Sequence, residues 1–515
     1  MPEYLSPGVY IQEVNSGPRP IEGVGTAMAA FVGIAAGGPA NKPMLITNWS
    51  QYVETFGRVD TDGRRTAHMP GAFLSHAVRG YFLNGGGRCY VTRVVVPNGR
   101  EKAAPQLQVP SRSSRAMPSL TFTPQPGVVS DVQIEIGPAT GEPPPEGGFT
   151  VRLSSGGGTP EVYENVNLGK KGRPVTDALK PSKLVIVEEA ASTGNLADRA
   201  PELGSYVLSA PAPAALTQIQ STHLVGDVAE RSGIEGMEIA EDVTMVCCPD
   251  LMAPEVLKSL GSEGVKAVQT AMINHCDRMA DRMALLDTPP NLTPQELKRW
   301  REVETNYDSK FAAVYYPWVM VEGPDGKPMA VPPCGHIAGI YARSDNERGV
   351  HKAPANEIVM GALESATPIT KGEQDVLNPL VVNCIRAFTG RGLRVWGART
   401  ISSDPAWRYV NVRRLFNYVE RSLERGLQWV VFEPNNPDLW ARVRRDVNAF
   451  LMGVWRDGML FGLTPQEAFF VKCDEELNPS DVRDRGQLII EVGLAPVKPA
   501  EFVIFRFSQW AGGGA

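Results

Sequence analysis

Near its end the chain reads Phe502-Val503-Ile504-Phe505-Arg506-Phe507, with apolar side chains at both odd and even positions. Successive side chains of a strand point to opposite faces, so a strand here has no face suited to water. It needs a partner on each side, supplied by its own domain or by another chain. That need excludes an ordinary half-solvated edge strand.

The opening residues pose the same question. Val9, Ile11 and Val14, with Tyr10 between them, form a short apolar series after Pro7-Gly8, and Gly17 to Pro20 breaks it before the next apolar stretch at Ala27 to Ala35. A strand tethered in this way can pair within its own domain or join a neighbouring chain.

Between these ends lies enough chain for several cores. A length of 515 residues suggests about two to four domains, and 43% hydrophobic with 21% charged residues is the content of a folded protein. The 51 glycines and 43 prolines follow no G-X-Y period, which excludes collagen. A formal charge of −6 gives little attraction to nucleic acid. The start, MPEYLSPGVYIQEV, has acidic residues and proline where a signal peptide has a basic start and an apolar run, and no apolar run of about eighteen residues occurs. Folding in a cytoplasm without membrane anchoring is expected. Cys89, Cys247, Cys248, Cys276, Cys334, Cys384 and Cys473 are dispersed and odd in number, as for buried thiols in a reducing compartment.

Periodicity organises the chain. From Phe31 to Val96 the order is strand, short helix, longer helix, strand, with Asn48 or Ser50 as cap and Phe73, Leu74, Ala77, Val78, Tyr81 and Phe82 at helical spacing. Residues 98–180 alternate in fragments such as Val132 to Ile136 and Phe149 to Leu153, separated by proline and glycine, and read as a strand-rich surface insert. From 181 to 379 strands alternate with helices: Met245 to Cys248, a long helical stretch from Val265 to Leu286, then Phe311 to Tyr316. Val268, Met272, Cys276, Met279 and Met283 form its apolar stripe. Thr293-Pro294-Gln295-Glu296 and Thr464-Pro465-Gln466-Glu467 are both capping boxes. Helices follow over Trp407 to Arg425 and Pro437 to Trp455, with Arg413, Arg414, Arg442, Arg444 and Arg445 on edges expected to be solvated, or to meet acidic faces of neighbours. Phe469 to Cys473 and Leu488 to Val497 are strands.

The search for chemistry is short. His68, His76, His223, His275, His336 and His351 form no HExxH, and no paired cysteines make a zinc knuckle. Gly85-Gly86-Gly87 is followed by Arg88 and a strand, whereas a phosphate loop needs lysine, Ser or Thr, and a helix. Asp60-Thr61-Asp62-Gly63 lacks the remaining ligands of a calcium loop. Asp242, Asp250 and Asp345 lie near strand ends, where an acid could serve an α/β enzyme, though such residues usually cap helices or finish turns. No catalytic, cofactor or metal residue is assigned, and no ATPase or hydrolase activity is expected.

Several blocks, taken in order, carry a resemblance: Tyr4 to Glu13; Phe31-Val32-Gly33 with Gly37-Gly38-Pro39; Phe82 to Val91; Pro333-Cys334-Gly335-His336-Ile337-Ala338-Gly339-Ile340-Tyr341-Ala342-Arg343-Ser344-Asp345. Lys352 to Asn356, Val395 to Thr400, Trp440 to Phe461, Phe470 to Asp474 and the terminal stretch from Ile489 to Phe502 continue it. The sequence resembles the sheath protein of contractile phage tails and phage-tail-like contractile injection systems.

The resemblance implies a homo-oligomer of six-fold rings, stacked helically around an inner tube and meeting baseplate and terminator or cap proteins. It implies a mixed α+β (α/β) multidomain subunit with an inner domain built from both chain ends, an outer α/β domain and a strand-rich insert. The expected divisions are a linking arm at 1–24, an inner domain at 25–97 and 380–498, the insert at 98–180, the outer domain at 181–379 and a second arm at 499–515. Val9, Tyr10, Ile11 and Val14 in the first arm, and Phe502, Ile504, Phe505 and Phe507 in the second, are the expected links to neighbouring subunits by strand addition. No cofactor, nucleic acid or membrane anchor is implied, and assembly is expected in the cytoplasm, in a particle that can leave the cell. A static capsid, tube or lattice subunit would use the same arms, and an α/β enzyme with exchanged termini would instead need a cleft with convergent acid and base groups.

Overall fold

The computed structural model of the chain describes residues 21–59, 65–95 and 106–506, apart from the short stretches 115–116, 126–127, 129–130, 141–146, 156–159, 170–171, 191–194 and 210–218. It forms two compact units: among the described residues, 26–348 with 352–413, and 21–25 with 349–351 and 414–506.

The larger unit is built on an eight-stranded sheet, in the order Met44–Ile46, Cys89–Arg93, Ala29–Gly33, Met245–Cys247, Met283–Asp287, Ala312–Tyr316, Val382–Phe388 and Gly392–Val395. The six inner strands are parallel, and each outer strand is antiparallel to its neighbour. Ala29–Gly33, Met283–Asp287 and Ala312–Tyr316 are buried at every position, which suits runs apolar on both faces to the middle of a parallel sheet covered by helices. The helices Leu74–Leu83 and Cys334–Arg348 pack closely: a Cβ on Gly335 would collide with the backbone of Ala77, and one on Gly339 with that of Tyr81.

These strands redraw the expected boundaries. The segments 29–93 and 382–395 were expected in an inner domain, but both belong to the main sheet. Their apolar runs need cover on two faces, and pairing across two hundred residues leaves no local mark in a sequence. The expected helical stretch from Val265 to Leu286 also divides. Helix Pro254–Met279, broken at Gly261 where φ is 63°, ends on left-handed Ala280 (φ 56°), and Met283 to Leu286 form a strand. Asn48 caps helix Trp49–Phe56 as expected, accepting from Gln51 N–H at 2.8 Å. Thr293 and Glu296 make their reciprocal box, whereas the Thr464 hydroxyl makes no cap bond and Glu467 accepts from Leu463 N–H instead.

The insert is larger than its composition suggested. Antiparallel strands Glu161–Val166, Phe149–Ser155, Val132–Pro138 and Gly204–Leu208 form one sheet, and Val185–Glu189, Pro118–Pro124 and Leu107–Pro110 another. Alternate residues such as Val132, Ile134, Ile136, Phe149, Val151 and Leu153 fill a core of its own. The stretch 184–187, expected to open the α/β domain, is therefore part of the insert.

The smaller unit draws on both chain ends. Helices Val410–Gly426 (from Arg414 onward) and Pro437–Arg456 contribute Leu415, Val419, Leu439, Trp440, Val443, Val447 and Leu451 to its core. Ile21 joins that core, and Val24 N–H donates to Ser422 Oγ at 3.2 Å. Strands Phe469–Lys472 and Glu491–Leu494 form an antiparallel hairpin. No described helix is long and apolar enough to cross a membrane.

Candidate functional site

An open α/β sheet binds small ligands beyond the carboxyl ends of its strands, where the strand order reverses. Here that point lies between Ala29–Gly33, whose next parallel strand, Cys89–Arg93, lies to one side, and Met245–Cys247, whose next parallel strand, Met283–Asp287, lies to the other. Asp250, fully buried just beyond Met245–Cys247, fills the position. Its Oδ2 accepts from Ile34 N–H at 2.5 Å, and its Oδ1 accepts from Leu74 N–H at 3.1 Å and from Phe73 N–H. A Cβ on Gly33 would strike this carboxylate. Burial pushes the Asp250 carboxyl up to about 6 while the three amides pull it down.

The next strand repeats the device. Asp287, at the end of Met283–Asp287, accepts from Cys334 N–H at 3.0 Å at the start of helix Cys334–Arg348, and burial raises its carboxyl to about 7. Burial also raises the thiols of Cys248 and Cys334. The chain's own amides, those of two helix starts among them, thus engage both carboxylates. Asp242 precedes Met245–Cys247 and Asp250 follows it, so these candidate acids lie at opposite ends of one strand, while the half-buried Asp345 sits on helix Cys334–Arg348. All seven cysteines are buried and free, and among the described residues no three His, Cys, Asp or Glu groups are placed to hold a metal ion.

The smaller unit has the opposite character. Phe502, Val503, Ile504 and Phe505 are 69%, 72%, 79% and 76% exposed in succession, so side chains of both parities face solvent. The expected strand does not form within the chain: residues 501–506 have no regular structure. Of the other expected links, Val9, Tyr10, Ile11, Val14 and Phe507 lie outside the described residues. The hairpin Phe469–Lys472/Glu491–Leu494 is a sheet of only two strands, so each has an edge without a strand partner among the described residues, and Phe470 is half exposed. A lone two-stranded ribbon is marginal in water.

Sequence reasoning missed Phe432, Phe461 and Leu463, three largely exposed apolar side chains of the same unit. The signal was an apolar residue on each side of Gly462, between a helix and a capping sequence. The expected solvated edge at Arg413 and Arg414 is corrected, because both are buried. Arg413 lies over the rings of Trp407 and Phe311, 4.4 and 4.8 Å from their centroids, where a guanidinium is favoured against aromatic faces.

Comparison with known proteins decides what such a chain is. Residues 241–401 match the family model of the phage tail sheath protein central domain, and residues 402–509 match that of the phage tail sheath C-terminal domain, together more than half of the chain. The chain belongs to the contractile tail sheath family. It is 22% identical to the tail sheath protein of Burkholderia phage BcepMu over 97% of this chain and 95% of that one. It is 26% identical to the tail sheath protein of Vibrio phage KVP40 over 34% of this chain, and 27% identical to a putative prophage major tail sheath protein of Pseudomonas aeruginosa over 50%. These matches span 26% and 66% of those two relatives. Among solved structures, the anti-feeding prophage helical sheath in its contracted state superposes with a TM-score of 0.59 at 26% identity, covering 98% of this chain and 99% of that one. The sheath complex of an extracellular contractile injection system, also contracted, shares the fold with a TM-score of 0.57 at 24% identity over 99% of both chains.

Proposed function

We propose that the chain is the structural subunit of a contractile sheath, polymerising as stacked hexameric rings around an inner tube and contracting to drive that tube through a target envelope. The observation that carries this reading is the run Phe502 to Phe505, apolar on both faces and exposed, in a unit whose hairpin is open at its edges. Phe502, Ile504, Phe505 and Phe507 at one end, and Val9, Tyr10, Ile11 and Val14 at the other, leave their own subunit and add strands to sheets of neighbours. Main-chain bonds supply attachment, and each large apolar side chain that becomes fully buried contributes roughly 1.5–3 kcal/mol. Joints repeated around a ring make a connected mesh that stays linked while rings slide and rotate.

The extended sleeve is a metastable arrangement, held by baseplate, tube and terminator or cap proteins, and contraction releases energy through new contacts between outer surfaces. No nucleotide is required for that step. Assembly takes place in the cytoplasm, in a phage tail or phage-tail-like particle. Electron microscopy of purified particles before and after mild denaturant or contact with target cells tests the reading. Two helical lattices, one long and narrow and one short and wide, are expected. A single unchanging lattice would make the chain a static tube or lattice subunit.

A further inference from the structure

His275 lies near the end of helix Pro254–Met279 and is fully buried. Its ring is set between two guanidinium groups: Arg282 Nη1 is 3.3 Å from Nε2, and Arg278 Nη2 is 3.3 Å from Nδ1. Glu235, on the short helical turn Glu235–Ile239, places Oε2 3.4 Å from Nδ1 and also pairs with Arg278. Arg282 is itself fully buried; it donates from Nε to Asp281 at 2.8 Å and from Nη1 to Met237 O at 3.1 Å, while its Nη2 has no partner among the described residues.

A guanidinium has only donors. The arrangement is therefore satisfied by a neutral ring that accepts from Arg282 at Nε2 and donates to Glu235 from Nδ1. An imidazolium would turn a second N–H toward a cation that cannot accept it. Other charges are placed elsewhere: Glu238 faces Arg278 at 3.3 Å, and Asp277 is engaged by Ser309 at 2.9 Å beside Lys310. Helix Ser221–Val225, which carries His223, meets the far end of the same helix, where Ser259 donates to Ile219 O at 2.8 Å.

We propose that His275 is an acid-released latch, which at neutral pH ties the turn Glu235–Ile239 to the end of helix Pro254–Met279 and to Arg282, and on protonation frees that turn. The turn buries Met237, whose sulfur lies 3.8 Å from Thr92 Oγ1 on the strand Cys89–Arg93, so release uncovers part of the main core. Burial and the Arg282 charge hold the ring below the ordinary histidine value of 6.5 while Glu235 opposes them, so the latch is closed above that value and yields as pH falls below it.

Hydrogen–deuterium exchange of the full chain at pH 7.5 and pH 5, corrected for intrinsic rates, tests this. Amides of 235–240 are expected to lose protection at the lower pH, by up to about tenfold for each unit below 6.5 for one proton taken up, while strand Ala312–Tyr316 keeps its own. His275→Gln, which can accept from Arg282 and donate to Glu235 but does not titrate, is expected to hold protection constant. Glu235→Gln, which removes the anion that eases protonation, moves the midpoint to lower pH. A wild-type turn equally protected at both values, the same loss in His275→Gln, or an unmoved midpoint in Glu235→Gln would each overturn the latch.

Discussion

The carboxyl end of the main sheet and the carboxyl end of the chain make opposite use of what folding leaves over. At the sheet, the Asp250 carboxylate, buried without a countercharge, is matched by three backbone amides, and Asp287 by the first amide of another helix. Both carboxylates are taken up by the chain's own backbone. At the chain end, four consecutive large apolar side chains are left in water. Buried polar groups without partners are costly, so folding within the chain settles them first, whereas exposed apolar surface is tolerated where a partner will cover it. The first region holds the chain's own segments together, and the second is where we propose that neighbours attach.

The largest effect should come from removing the unsatisfied end. Truncation after Pro499, or deletion of residues 1–20, is expected to abolish sheaths in negative-stain microscopy while leaving the circular dichroism of a folded chain, since the main core includes neither segment. Long normal sheaths from either truncation would deny that arm its linking role. Global unfolding would place the segment in its own domain's core.

The insert sharpens the contrast, because it saturates itself. Glu202 N–H donates to Pro110 O at 2.8 Å and Ser111 bridges Pro201, so its two ends lie side by side. Deleting 107–208 with a short linker is expected to leave soluble protein that still forms rings. Deleting only 100–178 strands Val185–Glu189 and Gly204–Leu208 without their partners and should give insoluble protein. Equal solubility of the two deletions would mean that the insert is not one module.

What the sequence made legible follows from range. Helix Leu74–Leu83, the Asn48 cap, the strands Met245–Cys247 and Ala312–Tyr316 and the apolar run at Phe502 rest on spacings within a few residues, and they could be read directly. The boundaries could not. Whether Ala29–Gly33 pairs with Met245–Cys247 or with a strand near the C-terminus depends on contacts far apart in sequence, and the alternation of the insert looks the same at 132–136 as at 204–208. Asp250 was noticed as an acid near a strand end, but its donors come from Ile34, Phe73 and Leu74, which no spacing connects to it. Arg413 was read as solvated because helical periodicity assigns faces without saying how wide the buried face is.

A third, smaller effect probes the saturated end. Asp250→Ala leaves the amides of Ile34, Phe73 and Leu74 buried without an acceptor, at about 1–3 kcal/mol for each donor that water cannot reach. A loss of about 3 kcal/mol or more is expected in urea unfolding. Asp250→Asn, which keeps one acceptor oxygen, should lose less. A change within about 0.5 kcal/mol for the alanine variant, the range of neutral surface substitutions, would show that the carboxylate does not hold these three amides in place.

The smallest effect tests whether the same unit also buries groups that it can keep only in one charge state. His76 on helix Leu74–Leu83 stacks on His68, with ring centroids 4.1 Å apart, and His336 on helix Cys334–Arg348 is buried with Nδ1 unpartnered among the described residues. Burial, then the neighbouring His68, Arg79 and His336, lowers His76 from 6.5 to about 3, and burial lowers His336 to about 4. The folded chain therefore holds His76 neutral where the unfolded chain protonates it. Its contribution to stability is complete above pH 6.5 and is lost as pH falls toward 3. Asp250 and Asp287, raised by burial, act with the opposite sign over part of this range, so the wild-type curve alone cannot isolate the histidine. The difference between wild type and His76→Gln can. At pH 7.5 the variant should be the less stable of the two, having lost the ring stack. Below pH 6.5 wild type should lose stability relative to the variant by up to about 1.4 kcal/mol per unit, so that the gap narrows and can reverse. A gap that stays constant from pH 7.5 to pH 5 would mean that His76 titrates alike in the folded and unfolded chains, and that its burial costs nothing in charge.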